Sequence, residues 1–149
     1  MSEMSKKEKK STDELLKGIK SSSDFSAFMK VNNGSFIGEE HFVTYLNDLI
    51  KNKGFSKGEL IKRAKIERTY GFHILNGSRK PGRDKVIQLA IGLELGVDET
   101  QMLLKISGNG ELYPRVMRDA AILFCLKNRF DMIDTQLFLD KQSFKTLGE

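Results

Sequence analysis

The sequence predicts an all-α protein, and three observations predict it. Apolar residues recur at steps of three and four, as in Phe42, Tyr45, Leu46, Leu49 and Ile50. Start and stop signals flank such stretches: Ser56 and Glu59 stand in S-x-x-E order before one, and Gly77 lies just past another. No segment alternates convincingly as a strand would. Composition narrows the class further. The 149 residues are 39% hydrophobic, and no apolar run approaches the ~20 residues of a membrane span. The opening MSEMSKKEKKSTDE has a basic run with no apolar core behind it, which argues against a signal peptide. A lone Cys125 rules out an internal disulfide framework and a cysteine zinc site. The expectation is a cytoplasmic protein without metal or cofactor, and the net charge of +5 suits a polyanionic partner.

Taken in order, residues 1–11 are polar and lysine-rich and read as a disordered tail. Thr12 is placed to cap a short helix with Leu15, Leu16 and Ile19. Asp24 to Val31 gives a second, with Phe25, Phe28 and Met29 on one side. Both are too short to stand alone. Asn32-Asn33-Gly34 is a turn, and Phe36-Ile37 leads into the next helix, so residues 12–38 form a short-helix region. Glu39–Lys53 reads as a helix ending at Gly54. A helix opened by Ser56 carries Leu60 and Ala64, Lys65-Ile66-Glu67 makes a tight corner, and a second helix runs from Arg68 to Asn76. Further helices are expected over 83–95 and 99–106. Ser107-Gly108-Asn109-Gly110 marks a boundary, with Gly108-Asn109-Gly110 read as a hinge, followed by helices over 118–128 and 133–141.

Two helices joined so tightly form a helix-turn-helix, whose second member is shaped to enter the major groove of DNA. Residues 56–91 hold nine Lys or Arg against three Asp or Glu, more than the whole surplus of positive charge. The same stretch carries Gly54, Phe55, Ser56, Glu59, Leu60, Ala64 and Ile66, then Ile74, Asn76, Gly77, Arg79, Lys80 and Pro81. In that order and spacing it resembles the XRE (phage Cro/repressor-like) helix-turn-helix family. The resemblance spans about residues 41–107. It implies a lambda-repressor-like five-helix DNA-binding domain at 39–107, and a transcriptional regulator acting on double-stranded DNA.

Carried over position by position, the resemblance makes Arg68, Thr69 and His73 the base-reading residues, with Tyr70 alongside. Arg68 can offer two donors to guanine O6 and N7, and Thr69 can meet a thymine methyl or a base edge. Lys57, Asn76, Arg79, Lys80 and Arg83 are implied to anchor phosphates, and Lys62 and Arg63 suit either that side or a solvated one. Glu67 complements the positive end of its helix and would accept only from a cytosine amine. The chain departs from the family pattern at Ile61, where a small Ala is usual, and at Gly71, where a larger side chain is usual. Large-for-small opposite small-for-large would conserve volume. Ile50 and Leu75 stand where many members pair Arg with Glu.

The C-terminal part repeats what precedes it. Residues 83–105 align without gaps on 118–140, with six of 23 positions identical, among them Arg-Asp at the start and Thr-Gln further on. The repeat predicts two helical hairpins that bury faces on each other. Residues 92–149 carry seven basic and nine acidic residues, so the extension at 111–149 suits packing or homodimer formation better than DNA contact. His41 and His73 have no catalytic partner motif, and Cys125 lies in an apolar helical pattern, so no enzyme is expected. The alternative is a helical protein–protein adaptor or antitoxin-like partner that keeps the motif for packing.

Overall fold

A computed structural model describes residues 11–31 and 39–148, and among these the protein is all helical, with nine helices and no strand. The lysine-rich residues 1–10, the Asn32-Asn33-Gly34 turn and Phe36-Ile37 lie outside the described residues. The chain divides into two compact units, 1–37 and 38–149.

In the first unit, α1 (Thr12–Ser21) pairs with α2 (Phe25–Val31). The cap of α1 is Ser11 rather than Thr12. Its hydroxyl accepts from the Glu14 N–H at 3.1 Å while its own N–H donates to the Glu14 carboxylate at 2.9 Å, so two orphan donors of the first turn are satisfied together. Phe28 is buried with its ring over Gly18, where a Cβ would come within 2.9 Å of the ring. Phe25, expected on the same face, is 73% exposed.

The second unit contains α3 (Glu39–Lys53), α4 (Lys57–Arg63), α5 (Arg68–Leu75), α6 (Arg83–Gly92), α7 (Val97–Ile106), α8 (Met117–Lys127) and α9 (Met132–Lys141). Helix α6 is central, and every residue from Val86 to Gly92 is buried. On one side α4 packs on α6, α3 on α7 and on α5, and α4 on α5. Leu46, Leu60, Ile74, Leu89, Leu93 and Leu103 are wholly enclosed between them. Ile50 and Leu75 are buried in the same core, in keeping with an apolar contact at these positions. The Ser56 hydroxyl caps α4 by accepting from the Glu59 N–H at 3.1 Å. The predicted volume exchange is present: a Cβ on Gly71 would stand 2.7 Å from Ile61 Cγ2 and 2.8 Å from Cγ1.

On the other side of α6 lies the repeat. Helix α6 packs on α9 and α7 on α8. Arg83 donates to both carboxylate oxygens of Asp119, at 2.9 and 2.6 Å, and Arg118 to both of Asp84, at 3.3 and 3.1 Å. Arg83 also reaches the carbonyls of Gly110 and Glu111, as Arg118 does those of Lys145 and Thr146. The Gln101 amide clamps the backbone of Leu112, and the Gln136 amide that of Leu147. Each contact maps onto its twin when residue i is exchanged with i+35, and the cross-contacts are reciprocal. That reciprocity is the mark of an approximate two-fold axis between the hairpins.

One expectation is corrected. Ser107–Gly110 is not a hinge: Ser107 is buried, Asn109 donates to Ser107 and to the Pro81 carbonyl, and Leu112 is enclosed. The extension and residues 39–107 therefore belong to one compact unit.

Candidate nucleic-acid interface

The corner before α5 is built from a left-handed Lys65 (φ 57°) and a 3.2 Å hydrogen bond from the Ile66 N–H back to Ile61, the Schellman pattern. The last carbonyls of α4 find a buried partner, because the Gln88 amide donates to Ala64 O at 2.9 Å. Glu67 then opens α5. Its two carboxylate oxygens accept from the Tyr70 and Thr69 N–H groups at 2.9 and 3.0 Å. These bonds, that of Tyr70 first, hold the Glu67 carboxyl below the usual carboxylate range. Glu67 thus acts as a helix cap.

With Gly71, Ile74 and Leu75 buried, the opposite face of α5 presents Arg68, Thr69 and His73 to solvent. Tyr70 is half-buried against the core. The Arg68 guanidinium lies over the Phe72 ring at 5.0 Å, and its tip comes within 3.7 Å of a Cβ position on Gly58, which puts it beside the start of α4 and Lys57. His73 Nδ1 is 2.9 Å from Ser78 Oγ, so its Nε2 is the nitrogen left for another partner. Asn76 Oδ1 accepts from the Ser78 N–H at 2.9 Å and also from the Ser78 hydroxyl, and Gly77 takes φ 88°, a conformation that favours glycine. The loop is thereby tied to the exposed face of α5. Beyond it Arg79 and Lys80 are exposed, and neither they nor Lys57 forms an ion pair with a described residue.

Two basic residues are committed elsewhere. Arg83 uses four of its hydrogen-bond donors on Asp119, Gly110 and Glu111, and so leaves the phosphate-anchor set. Arg63 pairs with Glu94, donates to the Gly92 carbonyl at 3.0 Å and covers the Phe55 ring. Sequence reasoning missed Ser78 and Gln88, for which no motif signals a role. The recurrence of Arg-Asp 35 residues on was legible, but the pairing of Arg83 with Asp119 was not. Cys125 is buried, which pushes its thiol up to about 11 and suits a structural residue. Among the described residues no helix is long and apolar enough to cross a membrane.

Comparison of the chain with protein-family models, with curated proteins and with solved structures finds no match.

Proposed function

We propose that this protein is a sequence-specific DNA-binding regulator, with α3–α7 as a lambda-repressor-like domain of the XRE kind. The observation that carries this reading is the face of α5. It holds Arg68, Thr69 and His73 exposed, next to a loop whose Arg79 and Lys80 have no acidic partner among the described residues. None of these side chains is buried, although Arg68 lies over Phe72 and His73 bonds Ser78. Helix α5 enters the major groove, Arg68 donates twice to a guanine, Thr69 meets an adjacent base, and Nε2 of His73 reaches a base edge or a phosphate. Tyr70 packs beside them. Lys57, Asn76, Arg79 and Lys80 fix the register on the backbone.

Titration of the full chain into a labelled random-sequence duplex tests the electrostatic part. Three released counterions, one each for Lys57, Arg79 and Lys80, give a log–log salt slope of about −2.7. Absence of binding at low salt overturns the proposal and leaves the adaptor or antitoxin-like reading, which the exposed apolar face of α8 and α9 favours.

A further inference from the structure

The two hairpins share an inner face and differ on the outer one. In the first hairpin Val86, Leu89, Leu95 and Leu103 are covered, with α4 against α6 and α3 against α7. Their two-fold equivalents are Ala121, Phe124, Phe130 and Phe138, of which Phe124 is exposed and the other three are only half-buried. Phe124 is 49% exposed where Leu89 is 0%. Its ring stacks on Phe138 at 5.3 Å, and Phe130 stands edge-on to both at 6.1 and 5.9 Å. The apolar surface also extends beyond the equivalent of the covered area. Ile133, 55% exposed, replaces Asp98, and Leu137, 64% exposed, lies one turn further on α9. A solvated helix face would carry polar residues here, and large apolar side chains exposed together on one face mark a contact site.

We propose that this face of α8 and α9 joins two copies of the chain in an isologous dimer. The exposed charges on the hairpin balance, with Lys127, Arg129 and Lys141 against Asp131, Asp134 and Asp140. A face neutral in sum meets its own copy without net repulsion, whereas a polyanion or a strongly basic partner would require an excess of one sign. A second clue excludes an occupant docked as α4 docks on α6. That approach depends on Gly92, where a Cβ would lie 3.0 Å from Leu60 Cδ1 and 3.1 Å from the Ala64 nitrogen. Lys127 holds the equivalent position on α8 and bars so close an approach, so the partner packs at ordinary side-chain distance, as a second α8–α9 face can.

Sedimentation of the full chain without DNA, over about 1–100 µM, tests this independently of the DNA reading. The expected result is a concentration-dependent dimer of the 16.9 kDa chain. Leu137→Lys and Ile133→Lys each raise its dissociation constant at least about tenfold, with helical circular dichroism and melting unchanged. Met102→Lys, at the two-fold equivalent of Leu137, leaves the dimer intact. A monomer throughout the range overturns the proposal. So does a dimer that survives both substitutions or is lost equally in Met102→Lys.

Discussion

Arg79, Lys80 and Arg83 follow α5 within eight residues, yet only the first two are available to a ligand. The difference lies in their partners: Arg83 faces a carboxylate that is 7% exposed, and Arg79 and Lys80 face solvent. A guanidinium in a sequence looks the same whether phosphate or Asp119 will accept from it, which is why the motif alone placed Arg83 with the anchors. The three substitutions should therefore separate in kind. Arg79→Ala and Lys80→Ala are each expected to flatten the salt slope of DNA binding by about 0.9 and to leave melting unchanged. Arg83→Ala is expected to leave the slope unchanged and to lower stability by about 1–3 kcal/mol, because it strands the buried Asp119 carboxylate. Slopes from salt titration and midpoints from urea unfolding distinguish them, and a flattened slope in Arg83→Ala would return that residue to the interface.

Element ends show how far local chemistry carries. Ser56, Gly54 and Gly77 announce their caps, and the helices they bound lie where the sequence placed them to within a residue or two. The corners at Lys65, Glu94, Arg129 and Ser143 carry positive φ without glycine, and although Lys65–Glu67 was read as a corner, no local signal marks the left-handed residue in any of the four. They hold because the flanking helices are fixed by burial, with Leu93, Leu95 and Leu126 enclosed on either side. The α4–α5 crossing was legible because two departures from one family pattern offset each other, at Ile61 and Gly71. It also gives a test by sign. Ile61→Ala should destabilise the unit by about 2–5 kcal/mol. Gly71→Ala in the natural chain forces a Cβ to 2.7 Å from Ile61 and should cost about 1–3 kcal/mol, partly offset by helix propensity. In the Ile61→Ala background the same Gly71→Ala change should stabilise. Additive effects in a double-mutant cycle of unfolding midpoints would show that the two positions are not coupled.

At the scale of the whole molecule, a repeat of only six identities in 23 folds into two hairpins locked by reciprocal Arg–Asp pairs. The identities that survived include the residues that do the locking, Arg83 and Asp84 with Arg118 and Asp119. The register was therefore readable, although the two-fold relation was not. Burial is the largest single influence on Asp84 and on Asp119 and pushes each carboxyl up. The guanidinium and backbone N–H bonds outweigh it, so both carboxyls titrate below their usual value of 3.8. A carboxyl depressed in the folded state adds stability above its unfolded pKa, and that stability is lost as pH falls through the folded value. Urea midpoints should thus hold steady from neutral pH down to about 5 and fall below about 4. The Asp84→Asn, Asp119→Asn double variant should be weaker at neutral pH and fall less in acid, and an unchanged acid slope would exclude these pairs as its source. The central claim, that α5 reads DNA, meets its most direct test in selection from a pool of random duplexes at low and at moderate salt. The full chain should enrich one motif, and Arg68→Ala should relax the preference at a single base position at a cost of about 1–3 kcal/mol on the selected site. Enrichment of no sequence at either salt concentration, or an identical motif from Arg68→Ala, would contradict it.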